Sequence, residues 1–356
     1  MKQKITILTS AFLLMAITAS ATVWRVNNRP NVDADFTTLQ DAIDGASGGD
    51  TLYIGASETT YGSGIFDKQL IAIGAGYWLA ENDTTQAYTE ESQTGRLTFN
   101  DGSQGSEVMG LYIYESLDND PRSIIILTDN ISITRNFILT YEQDIQSYHS
   151  PVCIYISGNN DNINITQNWI YSTRVTVNNT YAIGIWGILT NSIISNNFIR
   201  SQYTKYAVYM STSSTATELI ISNNVMWGIT QTYYTIHNNN IQIEGTYNNG
   251  TGDLTSNNLC NATQYPALNS NQQNIDMSTV FIDYVGYIDN DYILTSGSPA
   301  IGAGINGGDC GAFGNGSGGD PYVLSGIPAI PSVFEATVTT MGSSVLPVNI
   351  KASSHN

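Results

Sequence analysis

Basic side chains are scarce in this sequence: 12 Lys and Arg stand against 30 Asp and Glu among 356 residues, a formal charge of −18. A field of that sign repels phosphate backbones and anionic membrane faces, which argues against nucleic acid as a partner. Cysteine is nearly missing. Cys153, Cys260 and Cys310 are far apart, so at most one pair can bridge, no disulfide framework staples the fold, and no zinc-type spacing occurs. After residue 21 no apolar run is long enough to cross a bilayer, and no cysteine follows the first apolar stretch to take a lipid anchor. Charged residues of both signs make up only 12% of the chain, whereas 41% is hydrophobic and 32 residues are glycine. That balance excludes disorder and suits an all-β repeat protein, whose polar surface is carried by amides and hydroxyls and whose turns recur often.

Residues 1–21 have the layout of a signal peptide. Lys2 and Lys4 begin it, Ile5 to Ile17 is its apolar stretch, and Ala19-Ser20-Ala21 offers a small-residue cleavage site. The expected location is secreted, extracellular or cell-surface, with no transmembrane segment once this leader is removed.

Internal repetition sets the fold. The phrase apolar, polar, polar, Asn, variable, apolar occurs at Ile133 to Ile138, Ile165 to Ile170, Ile194 to Ile199 and Ile221 to Met226, with degenerate copies at Ile236 to Ile241 and Leu254 to Leu259. The Asn positions, Asn136, Asn168, Asn197 and Asn224, recur at intervals of 32, 29 and 27 residues. So variable a length is natural where loops of different size leave each coil. A second phrase keeps step with the first at Val152 to Ile156, Tyr181 to Ile185 and Tyr206 to Met210. Within each phrase apolar residues alternate with others, the period of a strand with one buried face.

The pattern predicts a single-stranded right-handed parallel β-helix, with stacked coils from about Thr51 to Leu294 and with Ile154, Ile183 and Val208 in one inward column. The repeated Asn tolerates left-handed backbone and bonds to turn groups, so its column is expected to bend every coil at one place. Thr37 or Thr38 can cap a helix from about Leu39 to Ala46 that closes the open end of the core. The expected organisation is a leader (1–21), the β-helix (22–316), then a Gly-rich linker and tail (317–356), in which Phe334 to Thr340 and Val345 to Lys351 could pair as a small hairpin.

Certain stretches carry a resemblance. Trp24-Arg25-Val26, Asp35 to Ile43 and Gly49-Asp50-Thr51-Leu52 look like the opening of secreted bacterial right-handed β-helix proteins of the pectate-lyase-like fold. Lys68-Gln69-Leu70 and Ile73 to Tyr77 resemble their early coil, and Ser298 to Gly304 with Asp309 to Gly314 resembles their closing segment. The resemblance implies the scaffold and leaves the chemistry open. The Asp set with Gly-His-Gly of polygalacturonase-like hydrolases is missing, as are the Asp-His and Arg-Pro motifs of pectate lyases; the histidines are His149, His237 and His355.

The basic residues of the repeat region are Arg135, Arg174, Arg200 and Lys205. Arg135 fills a repeat slot held elsewhere by Gln167, Asn196 and Asn223, which reads as a solvated face. Arg174, Arg200 and Lys205 fall where loops leave the solenoid and could line a groove. Asp118-Asn119-Asp120 and Asp289-Asn290-Asp291 hold oxygens of the kind Ca²⁺ takes, but neither continues into an EF-hand loop and such clusters are ordinary turn formers. No metal site and no cofactor is therefore assigned, with Ca²⁺ the one ion those clusters would suit.

Aromatic residues are plentiful, with 22 Tyr and 5 Trp. Tyr155, Gly184 and Tyr209 share a column of outward parity, with Trp186 two residues on from Gly184. Rings on a flat β face can stack on sugar faces and offer hydroxyl tips. Tyr155, Trp186 and Tyr209, flanked by Arg174 and Arg200, are the candidate substrate-binding residues. Two functions fit: a non-catalytic β-helix that engages extracellular polysaccharide or acts in adhesion, and a polysaccharide lyase or glycoside hydrolase with diverged motifs. Whether the chain is an enzyme stays open at this point.

Overall fold

The structure is a computed structural model and describes residues 21–82, 85–115, 120–142, 150–174, 179–202, 205–248, 250–284, 291–314, 323–338 and 348–353. It is a parallel β-helix with three long sheets. Among the described residues sheet 1 has 10 strands, from Val23–Val26 to Leu254–Ser256; sheet 2 has 8, from Gln93–Thr94 to Leu259–Cys260; sheet 3 has 9, from Gly64–Phe66 to Tyr247–Asn248. One coil runs through Ile131–Thr134 in sheet 1, Phe137–Glu142 in sheet 2 and Val152–Asp161 in sheet 3, then returns to Ile163–Thr166 beside its own start.

Registers follow the repeats. Ile133, Ile165, Ile194 and Ile221 are successive partners in sheet 1, as are Ile154, Ile183 and Val208 in sheet 3, and all are buried. Ile138, Ile170, Ile199 and Met226 form the third inward column. Each such side chain contributes roughly 1.5–3 kcal/mol by leaving water, and none could be buried by its own coil alone.

The bend between sheets 1 and 2 divides its work between two residues. The residue before each repeated Asn takes the left-handed conformation: Arg135, Gln167, Asn196, Asn223, Asn239 and Asn257 have φ from 55° to 59°. The repeated Asn is itself fully buried and bonds along the axis. Asn168 N donates to Asn197 Oδ1 (2.9 Å), Asn197 N to Asn224 Oδ1 (3.0 Å), Asn224 N to Asn240 Oδ1 (3.0 Å) and Asn240 N to Asn258 Oδ1 (2.9 Å). The expectation that the ladder Asn supplies the left-handed residue is thus corrected by one position.

The two degenerate copies are also displaced by one residue. The ladder uses Asn240 and Asn258, so Ile236 and Leu254 face outward and His237 takes the inward place of Ile221. The coils end sooner than expected. Among the described residues the last parallel pairing is at Leu259 and Gln272, and the chain then folds back over sheet 2. The reason is the outer face of that sheet, where Phe198, Val225, Ile241 and Leu259 form an apolar column. Phe281, Tyr292, Cys310 and Ala312 cover it, with Gly311 (φ 94°) set against Ile241.

The helix Leu39–Gly45 has Thr38 as its N-cap, with Asp41 N donating to Thr38 Oγ1, and buries Leu39, Ala42 and Ile43. Lys68 Nζ donates to the carbonyls of Ile43, Asp44 and Ala46 at its other end. The tail forms an antiparallel hairpin of Ser332–Val338 and Val348–Ser353. All three cysteines are free and buried.

Two aromatic faces as candidate functional sites

On sheet 3 the candidate residues Tyr155, Trp186 and Tyr209 come together. Tyr155, Gly184 and Tyr209 are register partners on successive rungs. The Trp186 ring folds back over Gly184 and fills the gap in the column, 4.8 Å from the Tyr155 ring in a stacked pair and 5.6 Å from Tyr209. A Cβ on Gly184 would lie 2.2 Å from that indole, so only glycine lets it settle there. Tyr181 and Tyr206 extend the strip, stacked at 5.2 Å, with Tyr206 4.8 Å from Tyr209. The result is a ribbon of ring edges along the solenoid axis.

At one end of this ribbon the Arg122 guanidinium lies 4.5 Å over the Tyr155 ring, and its Nη2 donates to Asp120 Oδ2 at 2.9 Å. Arg96 also reaches Asp120. A cleft of about 280 Å³ lined by Asp120, Arg122, Ser150, Val152, Tyr155, Tyr181 and Trp186 opens here. Hydrogen bonding to Asp120 raises the Arg122 pKa above its already high value, so this cation stays protonated and is no proton acceptor.

Arg200 belongs elsewhere. It pairs with Tyr171 and Trp227 in sheet 2 and sits 5.3 Å over the Tyr171 ring. The backbone of Arg174 ends the strand Trp169–Arg174, also in sheet 2; its side chain lies outside the described residues. The structure therefore does not bring Arg200 to the Tyr155 cleft.

Sheet 2 carries a larger groove, about 420 Å³, lined by Trp78, Tyr112, Tyr114, Phe137, Leu139, Tyr141, Trp169, Tyr171, Thr173 and Arg200. Trp78 enters from an early loop in left-handed backbone (φ 52°), its amide donating to Glu91 Oε1 at 2.8 Å. Its ring stands edge-on to Trp169 at 5.1 Å. Burial, with Glu91 and Tyr114 nearby, pushes the Tyr112 phenol up to about 12, and burial raises Glu91 as well. None of the residues lining this groove except Arg200 is among the sequence-based candidates, although the repeat carries its signal. The variable slot after each Asn holds Phe137, Trp169 and Phe198, outward by parity and too apolar to be left bare.

Arg135 is not on a solvated face. It is buried, donating from Nε to Gln167 Oε1 (2.7 Å) and from Nη1 to the Ile327 carbonyl (3.2 Å), and so ties the bend to the returning chain. His237 is wholly buried. Its Nε2 lies 2.9 Å from Thr232 Oγ1 and 2.7 Å from Thr235 Oγ1, and both hydroxyls donate to Asp253. Burial lowers its pKa, against a smaller opposing pull from Asp253.

Asp118, Asn119, Asp289, Asn290, His149 and His355 lie outside the described residues. Among those described, no three His, Cys, Asp or Glu residues gather into a metal-holding group, and no helix is long and apolar enough to cross a membrane. Comparison of the chain with protein-family models and with curated proteins gives no match.

Proposed function

We propose that the chain is an extracellular β-helix protein of the pectate-lyase-like kind that engages polysaccharide, binding it rather than cleaving it. The observation that supports this reading is the axial ribbon on sheet 3, in which Tyr155, Trp186 and Tyr209 lie in one line with Tyr206 alongside. A ribbon parallel to the solenoid matches an extended chain better than a compact ligand. Its ring edges and phenol tips suit hydroxylated, apolar-faced sugar units. The cation at the end of the ribbon is locked to Asp120, which suits holding a ligand and not removing its proton. The leader-like residues 1–21 support export, and the acidic surface suits a neutral or cation-bridged glycan.

Replacing Tyr155 and Tyr209 together by Ala should weaken polysaccharide binding by about threefold or more while the melting temperature holds, because outer-face rings add little to the core. Unchanged binding in the double variant would remove this face from the account. The same incubations, read by absorbance of an unsaturated product and by new reducing ends, test the lyase or hydrolase alternative.

A further inference from the structure

The two aromatic faces share a motif and differ in one respect. In each, two tyrosines on the outer surface are separated by one rung holding a smaller residue: Tyr155, Gly184, Tyr209 in sheet 3, and Tyr114, Leu139, Tyr171 in sheet 2. In sheet 3 the Trp186 ring fills the gap. In sheet 2 no ring of the described residues lies between Tyr114 and Tyr171, and the gap opens into the 420 Å³ groove. Two rungs span about 9.6 Å, and a ring sandwiched between two others needs about 7–8 Å, two van der Waals contacts. The rung spacing of this column therefore leaves room for one inserted ring, floored by Leu139.

The flanking groups show what kind of ring. Arg200 follows Tyr171 in register and sits over it from the side away from Leu139, so the opposite face of Tyr171 looks into the slot. Among the described residues the phenol oxygens of Tyr114, Tyr141 and Tyr171 make no hydrogen bond, and the exposed guanidinium of Arg200 has neither a hydrogen bond nor an ion pair. Thr173, whose hydroxyl donates to Gln202 Oε1, adds an acceptor oxygen to the same lining. Apolar walls with polar groups at the rim fit a ring that is apolar on its faces and hydroxylated at its edge.

We propose that this slot is a second ligand site, separate from the sheet 3 ribbon, that takes a single pyranose ring of a mono- or disaccharide between Tyr114 and Tyr171. The ring's hydroxyls bond to the tyrosine phenols, Thr173 and Arg200. Specificity follows from the floor. Leu139 leaves room for one ring, and a larger residue there closes the slot from within, as Trp186 closes its counterpart.

The test is a panel of hexose mono- and disaccharides titrated into the full chain by calorimetry, with saturation-transfer NMR to locate the contact on the sugar. Wild type should bind at least one member, with transfer concentrated on the ring hydrogens of a single pyranose unit. Leu139→Phe and Tyr171→Ala should each lower the affinity about tenfold or more; Arg200→Gln should lower it by less. Tyr155→Ala with Tyr209→Ala should leave it unchanged, which separates this site from the ribbon. Melting curves identify any variant that fails to fold, and Tyr171→Ala, an outer-face truncation, carries the test if Leu139→Phe does. No binding by any sugar overturns the proposal. So does wild-type affinity in both slot variants, or saturable binding of indole alone, which would make the groove a site for purely apolar ligands.

Discussion

Asn197→Ala isolates what the asparagine ladder contributes. Asn197 is fully buried; its Oδ1 accepts from the backbone N of Asn168 (2.9 Å) and from Asn168 Nδ2 (3.0 Å). Its Nδ2 donates to the carbonyls of Ile165 (2.8 Å) and Ser195 (2.9 Å) and to Asn224 Oδ1 (3.0 Å). After truncation Asn168 Nδ2 keeps the Ile133 and Thr166 carbonyls, and Asn224 Oδ1 keeps the backbone N of Asn197. The buried amide of Asn168 loses its acceptor. One stranded buried donor costs about 1–3 kcal/mol, which is the expected loss in urea unfolding at unchanged m-value. The neighbouring position gives an internal control. Asn196 holds the left-handed conformation at φ 58°, so Asn196→Gly should cost less than Asn196→Ala, since alanine adds about 1–2 kcal/mol of backbone strain there. Wild-type stability for Asn197→Ala, or equal losses for the two Asn196 variants, would refute the division of labour at this bend.

Gly184→Ala should drive the Trp186 ring off the ribbon, with a red shift in tryptophan emission and a loss of about 1–3 kcal/mol, because the new Cβ occupies space the indole fills; an unshifted spectrum would contradict the stacking. His237 makes stability depend on pH in a defined window. Its folded-state pKa lies below the ordinary 6.5 because of burial, so its contribution is complete above pH 6.5 and is lost as pH falls toward the folded value, at up to about 1.4 kcal/mol per unit. Asp253 opposes the shift and so narrows that window. Urea midpoints at pH 7, 6 and 5 should fall in wild type and flatten in His237→Leu, and parallel curves would contradict the assignment.

Fold and site were legible to different depths. Ile154, Ile183 and Val208 could be placed because alternation and repeat offset are both consequences of one inward face stacking on the next. The hairpin and the capping helix were visible for similarly local reasons. Reading failed where two adjacent residues could exchange roles. In Asn238-Asn239-Asn240 any asparagine could have held the ladder, and only the register of the whole stack selects Asn240, sending His237 inward. The burial of Arg135 is not legible locally, because a long basic side chain in a polar slot gives no sign of a returning chain whose Ile327 carbonyl accepts from it. The sheet 2 groove was hidden for the same reason. Phe137 and Trp169 signal a covered face, but Trp78 comes from a loop far away in sequence. The proximity of Tyr155, Trp186 and Tyr209 is legible because neighbouring rungs in one column must be neighbours in space.

Polysaccharide engagement along the sheet 3 ribbon is tested most directly by the affinity of the full chain for one homologous series of oligosaccharides of increasing length. The expected result is a dissociation constant that falls with each added sugar until the ribbon is filled and then levels off, with the gain lost in the Tyr155→Ala, Tyr209→Ala double variant. Affinity independent of length, or no binding by any member of the series, would contradict it.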